Sequence, residues 1–122
     1  MDWRPQNTAK AIIAVHNNTD GEYDINRYFG SLKSDAVAVH VNPALDPDDF
    51  FLTTDARIFE ELKKINFNVL LQDNESAADD GSLSVYYGRK GIPYVNVEAQ
   101  HGHKEEQLQM LEVLIKILNE LY

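Results

Sequence analysis

Two short apolar segments each end in a side chain that could take part in catalysis. Residues 11–15 are followed by His16, and residues 94–97 are followed by Glu98. Open α/β sheets place their chemistry at the carboxyl ends of strands, so both are candidate site positions. Glu98 is the candidate catalytic base, because a carboxylate after an apolar strand is costly unless it is paired or lies in a cleft. His16 is the candidate zinc ligand, since neutral imidazole is a common one.

Both residues also have simpler interpretations. A strand-end glutamate can meet solvent or accept hydrogen bonds from neighbouring amides. A single histidine is at least as often hydrogen-bonded into a loop as bound to a metal. The sequence leaves both alternatives open for His16 and for Glu98.

Other polar residues follow predicted strands or lie in the loops between them. Those predicted to contact a substrate are Asn17, Asn18, Arg27, Gln72, Asp80, Ser82, Arg89 and His101. The two arginines are the candidate clamps for a substrate carboxylate, because a guanidinium pairs with that anion through two hydrogen bonds. For each single residue, ordinary hydrogen bonding within a loop is the simpler interpretation.

Composition limits the classes of partner. The formal net charge of −9 argues against nucleic acid or an anionic membrane as the main partner, because both attract basic surfaces. The chain has no cysteine, which excludes disulfides and thiolate zinc sites. It has no basic-then-apolar leader pattern at its start and no apolar segment that approaches the length of a membrane span, so a cytoplasmic location is expected.

The apolar pattern predicts one α/β domain over residues 1–122. Strands are expected at residues 11–15, 36–41, 69–71 and 94–97, with an alternating edge strand at 83–87. One helix capped by Thr54 and a second over residues 104–122 are expected. The prediction is a mostly parallel sheet of four or five strands with flanking helices. Because the last helix is very apolar and one sheet face is poorly covered, a homo-oligomer is expected.

Several segments resemble one known family. They are His16-Asn17-Asn18, Asp46-Pro47-Asp48-Asp49-Phe50-Phe51, Leu71-Gln72-Asp73-Asn74, Asp79-Asp80-Gly81-Ser82-Leu83-Ser84-Val85 and Asn96-Val97-Glu98-Ala99-Gln100-His101-Gly102. Together they resemble the C-terminal half of bacterial zinc-carboxypeptidase-like hydrolases, and are similar to the succinylglutamate desuccinylase and aspartoacylase branch. The resemblance implies a phosphorylase/hydrolase-like fold and one zinc ion, with His16 as its third ligand and Glu98 as the base.

The chain departs from that family in its metal ligands. The family's first two ligands come from a His-x-x-Glu pair that precedes the third, whereas here the one such pair, His103 and Glu106, lies after Glu98. The resemblance therefore implies either the C-terminal part of a larger hydrolase domain or a shortened relative.

The leading functional prediction is a zinc-dependent carboxypeptidase or amidase that cleaves an amide bond of a peptide or an acylated amino acid. The alternative is a non-catalytic, metal-free relative that acts as a binding or homo-oligomeric assembly domain. A third possibility is a site completed across a dimer interface by His101 or His103.

Overall fold

The computed structural model describes residues 11–18, 23–77 and 82–122. The strands are β1 (Ile12–Asn18), β2 (Ala36–His40), β3 (Phe50–Thr53), β4 (Val69–Gln72) and β5 (Tyr94–Gln100). The α-helices are α1 (Ala56–Lys64), α2 (Leu83–Arg89) and α3 (Lys104–Leu121). Two short 3-10 helices, Ile25–Phe29 and Lys33–Asp35, precede β2. The α/β class and a helix over most of residues 104–122 are confirmed.

The strands form one sheet in the order β1-β5-β3-β4-β2. Strands β1 and β5 pair in parallel, as do β3 and β4, whereas β5 with β3 and β4 with β2 are antiparallel. The prediction of a mostly parallel sheet is therefore wrong, because the sheet is mixed. The apolar pattern predicts where strands lie but not how they are connected. The connections set the direction of each strand in the sheet.

Strand β3 lies at the centre of the sheet and was absent from the predicted strands. Its four residues are all buried, and they directly follow the acidic segment 46–49. That segment is a loop, as predicted, but the strand after it is too short to stand out as an apolar run. The missing strand supplies the antiparallel pairing with β5.

The predicted edge strand at residues 83–87 is helix α2 instead. The Ser82 hydroxyl caps the helix by accepting from Val85 N, which gives the segment a helical start that outweighs its alternating pattern. Gly88 lets this helix approach the sheet closely. A Cβ there would collide with Asn74 Oδ1 and lie 2.7 Å from Gln72 Nε2.

Helix α1 begins one residue later than predicted. Asp55 rather than Thr54 is the N-cap, because its carboxylate accepts from Arg57 N and Ile58 N. Thr54 instead joins the helix start to β5: its hydroxyl donates to Ile92 O and accepts from Tyr94 N.

Each sheet face has its own core. One face packs under α1 and α3 around Phe51, Val95, Val97 and Leu114. The opposite face has a smaller core in which the 3-10 helix Ile25–Phe29 covers Phe50, Leu52 and Leu70. Alternation along β5 places Val95, Val97 and Ala99 on the α3 side and Tyr94, Asn96 and Glu98 on the other.

Helix α3 is less buried than its apolar sequence suggests. Met110, Leu114 and Ile117 are buried, whereas Leu108 and Ile115 remain exposed. The edge strand β1 also exposes Val15. Among the described helices, α3 included, none combines the length and apolar character that a membrane span requires.

The two leucines Leu114 and Leu108 provide a matched test of this packing. Leu114 is 0% exposed and Leu108 is 58% exposed, on the same helix. We expect Leu114→Ala to lower the free energy of unfolding by about 2–5 kcal/mol, because it leaves a cavity beneath α3. Leu108→Ala should change it by no more than about 0.5 kcal/mol. Urea titrations measure both, and equal losses would contradict the described orientation of α3.

Candidate functional site

The two principal candidates, His16 and Glu98, lie side by side. They are directly opposite each other in the parallel register of β1 and β5. His16 Nδ1 is 3.9 Å from Glu98 Oε1. The Glu98 residue is only 6% exposed, whereas the imidazole of His16 is 52% exposed. The sheet therefore presents an accessible ring nitrogen next to a buried carboxylate.

Two asparagines connect these groups into one hydrogen-bonded network. Asn96 Nδ2 donates to Glu98 Oε1 at 3.2 Å, and Asn18 Nδ2 donates to Glu98 Oε2 at 3.2 Å. With its nitrogen turned to the carboxylate, Asn96 presents Oδ1 to His16 Nδ1, 2.7 Å away. Because Oδ1 can only accept, Nδ1 must carry the proton. In the neutral ring, the lone pair is therefore on Nε2.

Asn18 adds a hydrogen-bond acceptor next to Glu98. Its Nδ2 also donates to Asp48 O at 2.9 Å, which fixes the orientation of the amide. Its Oδ1 is buried and has no hydrogen-bond donor among the described residues. Buried polar atoms in folded proteins are nearly always hydrogen-bonded, so Asn18 Oδ1 is suited to accept from a bound molecule.

A cavity of about 390 Å³ adjoins His16 and Asn96. It lies over the sheet face opposite α3, where Leu52, Gln72 and Tyr94 form part of its wall. Its volume is within the range of about 300–1,000 Å³ that is usual for ligand pockets. The cavity and the network together make this face the candidate active site.

Gln72 and Ser82, two of the predicted substrate-binding residues, line the cavity. Gln72 Nε2 donates to Asn74 Oδ1 and to Ser84 O, both at 2.9 Å. Its amide nitrogen therefore holds the start of α2 against β4. The Ser82 hydroxyl caps that same helix.

Other predicted residues lie elsewhere or are not described. Asn17, Arg27, Arg89 and His101 are exposed, and none of them is part of the cavity wall. Arg89 Nη2 donates to Ala77 O at 3.1 Å, which joins α2 to the end of the segment that follows β4. Asp80 lies outside the described residues. The role of these residues in substrate binding stays a prediction.

The acidic loop at residues 46–49 is hydrogen-bonded to the end of β5, beside the candidate site. Asp49 Oδ1 accepts from Gln100 N at 2.8 Å. The side-chain amide of Gln100, with its nitrogen facing the loop, donates to Asp46 Oδ2 and Asp48 Oδ2, both at 3.1 Å. This loop in turn holds Asn18 through Asp48 O. The loop therefore positions one of the two amides that hold Glu98.

A second group of potential ligands lies at the start of α3. Asp49, His103 and Glu106 present ligand atoms within 4.8 Å of one another. His103 Nδ1 is 2.9 Å from Asp49 Oδ2 and 3.9 Å from Glu106 Oε2. The hydrogen bond to Asp49 raises the pKa of His103 above its usual value, with further contributions from the charges of Asp49, Glu106 and Asp46. The hydrogen bond between His103 and Asp49 accounts for the proximity of these two side chains without a metal.

The sequence prediction missed Asn96 and the tyrosines of the cavity. Asn96 is two residues before Glu98 on the same strand, so strand alternation alone puts both side chains on one face. That pattern could have identified it. Tyr23, Tyr28 and Tyr94 line the cavity, and the first two reach it from a segment that no motif marked.

Comparisons of the chain with protein-family models, with curated proteins and with solved structures found no match. The resemblance to zinc carboxypeptidases therefore stays a prediction that depends on residues of this chain.

The pairing of His103 with Asp49 predicts a pH-dependent stability. Because folding raises the pKa of His103, its pairing stabilises the fold fully below the unfolded value of about 6.5 and is lost as the pH rises through the folded value. We expect His103→Gln to be less stable than wild type near pH 5.5, with the gap closing towards pH 9. Thermal unfolding across this range measures it.

His101→Gln is the matched control, because it removes an exposed imidazole from the adjacent turn. A stability loss in His103→Gln that stayed constant from pH 5.5 to pH 9 would show that protonation of His103 is not involved.

Proposed function

We propose that this protein is an amide hydrolase of the zinc carboxypeptidase or amidase type, with its site at the carboxyl ends of β1 and β5. One observation supports it most strongly: Glu98 is buried, is held by two amide donors, and lies 3.9 Å from His16, which lines the cavity. The proposed substrate is a peptide or an acylated amino acid. Glu98 has the chemistry of a general base, and His16 has that of one metal ligand.

In this proposal Glu98 is the general base and then the general acid. It accepts a proton from the attacking water and returns it to the leaving amine. The hydrogen bonds from Asn18 and Asn96 fix each carboxylate oxygen in place, so the base is positioned before substrate arrives. Asn18 Oδ1 is available to accept a hydrogen bond from the water or from a substrate N–H.

The orientation of the His16 ring suits a metal ligand. The bond from Nδ1–H to Asn96 Oδ1 orients the ring and leaves Nε2 to bind a metal, an arrangement usual among metal-binding histidines. Bound zinc would supply Lewis-acid polarisation of the scissile carbonyl. A catalytic zinc usually has three protein ligands. Among the described residues, His16 belongs to no cluster of three potential ligands, so they fit one zinc ligand and the base.

That incomplete ligand set favours a second candidate function. Without a metal, the cavity and its network would form a binding site, and the protein would act as a binding or assembly domain. The exposed Leu108, Ile115 and Val15 are consistent with association through α3 and the β1 edge. A homo-oligomer stays a prediction.

Zinc content separates the two functions. We expect wild type, purified without chelator or His-tag and supplied with zinc, to retain about one zinc per chain. His16→Ala should lose it, whereas the control His40→Ala should not, because His40 Nε2 is bonded to Asn66 on the opposite edge of the sheet. Elemental analysis of dialysed samples measures this. A wild type that retains no zinc would support the binding domain.

Substitution of Glu98 tests the chemical role directly. We expect Glu98→Gln to keep its zinc but to lose about 10²–10⁴-fold in the rate of hydrolysis, because a glutamine cannot accept the proton. Glu112→Gln, on the exposed side of α3, is the control and should be unaffected. A panel of dipeptides and N-acetyl amino acids provides the assay. Equal rates for wild type and Glu98→Gln would exclude Glu98 as the base.

A further inference from the structure

We propose that the outer edge of β1 pairs with the same edge of a second copy of this chain, so that two five-stranded sheets join antiparallel into one. The interface is a strand-to-strand contact, flanked by α3 of each copy. The sequence predicts a homo-oligomer, and this inference specifies the surface and the pairing. It requires neither zinc nor hydrolysis, so it goes beyond the proposed function.

Strand β1 lies at one edge of the sheet, and no described strand pairs with its outer side. At its two ends, Ile12 N donates to the carbonyl that precedes β5, and Asn18 O accepts from the amide that follows β5. Residues 12 and 18 therefore face β5. Because successive residues of a strand direct their backbone groups to opposite sides, the N–H and C=O groups of Ile13, Val15 and Asn17 point outward. They offer donors and acceptors to an added strand.

The β1 edge lacks the features that usually prevent strand addition. Natural proteins blunt exposed sheet edges with charged side chains, proline or β-bulges. Residues 12–18 include no Asp, Glu, Lys, Arg or Pro, and their register with β5 is continuous over all seven residues. The opposite edge strand, β2, is interrupted by a bulge between Ala36 and Ala38. Of these two edges, β1 is therefore the one suited to accept another strand.

Two contacts show which flank of α3 lies beside β1. Gln107 Nε2 donates to His16 O at 2.9 Å. Towards the other end of the helix, Leu118 lines a cavity of about 300 Å³ together with Ala11, the residue before β1. Helical spacing places Leu111 between these two contacts on the same flank. Helix α3 therefore runs alongside β1, in the opposite direction.

The side chains along this strand and flank are apolar. Ile13 and Val15 project to the α3 side of the sheet, where they are 36% and 46% exposed. Ile115 follows Leu111 by one helical turn and is 50% exposed. Isolated exposed apolar residues are common, but an apolar surface shared by a strand and a helix is typical of an interaction site.

The distribution of charge favours a second copy as the partner. The chain has 20 Asp and Glu residues and a net charge of −9, so two copies repel wherever their carboxylates meet. Neither β1 nor the α3 stripe of Leu111, Ile115 and Leu118 contains a carboxylate. Through these described residues, two acidic chains can approach without like charges in contact. A basic partner would instead be drawn to acidic parts of the surface.

Strand β1 is also complementary to itself under two-fold rotation. Antiparallel pairing centred on Val15 places the two Val15 residues opposite each other and each Ile13 opposite an Asn17. All of these residues then donate to and accept from the other strand. The side chain of His16 projects from the other sheet face, so the candidate site stays open in this dimer.

Sedimentation equilibrium of the full chain, with and without chelator, tests the inference. We expect wild type to be a dimer in both conditions, because the side chains at the interface lie on the face opposite His16. Val15→Lys should raise the dimer dissociation constant at least about 100-fold, because two ammonium groups would meet at the symmetry axis. Val37→Lys is the matched control. Val37 is 63% exposed on the β2 edge, and this variant should dimerise like wild type.

Cysteine crosslinking tests the strand pairing itself, because the chain has no native cysteine. Val15→Cys should form a disulfide-linked dimer on mild oxidation, since opposite residues of an antiparallel pair have Cα atoms about 4.5–5.5 Å apart, within the range of disulfides. Val37→Cys should not crosslink on a non-reducing denaturing gel. Circular dichroism checks the fold of Val15→Lys, and the milder Val15→Cys keeps the test decisive if the lysine variant does not fold.

The inference is overturned if wild type is monomeric, if a folded Val15→Lys dimerises as tightly as wild type, or if Val15→Cys and Val37→Cys crosslink equally. A monomer that retains zinc through His16 would reject only the strand pairing and leave the hydrolase proposal in place. A dimer crosslinked at Val15→Cys that neither retains zinc nor hydrolyses amides would support this inference and not the hydrolase.

Discussion

The parallel pairing of β1 with β5 is the constraint on which the candidate site depends. In this register His16 is opposite Glu98, and both side chains project from the same sheet face. A shift of one residue would turn one of them to the face under α3. Backbone hydrogen bonds between the two strands therefore determine whether an imidazole and a carboxylate can act together.

The strands alone do not fix the side chains, and two asparagines complete the arrangement. Asn96 links the ring to the carboxylate, and Asn18 holds the other carboxylate oxygen. Asn18 is held by its hydrogen bond to Asp48 O of the acidic loop. That loop is hydrogen-bonded in turn to Gln100 at the end of β5. The burial of Asp48, which is 1% exposed, is tolerable beside such donors. The loop therefore has a structural reason for its acidic sequence.

Much of the fold could be predicted from apolar segments, and the failures have physical causes. Strands near residues 12, 36, 69 and 94 and helix α3 follow from runs of apolar residues. The sequence predicts a strand where α2 lies, because Leu83, Val85 and Tyr87 alternate with more polar residues. The Ser82 cap and the close packing of Gly88 against Gln72 and Asn74 favour a helix instead. The packing depends on tertiary contacts, which a local pattern does not contain.

The site could be predicted in part for the same reason. Glu98 and His16 end apolar segments, so strand ends alone marked them. That they are adjacent follows from strand order, which no local pattern contains. Tyr23, Tyr28 and Asp35 reach the cavity from the segment before β2, where no periodic pattern marks them, whereas Tyr94 begins the predicted strand β5. Most of the described cavity wall could therefore be identified only from the folded structure.

The central claim is that His16 and Glu98 form one hydrolytic centre, and anomalous diffraction from crystals grown with zinc tests it most directly. If His16 holds the metal, an anomalous peak lies within bonding distance of its Nε2, and the hydrogen bonds of Glu98 to Asn18 and Asn96 remain intact. A peak at Asp49, His103 and Glu106 instead, or no peak near His16, would contradict it.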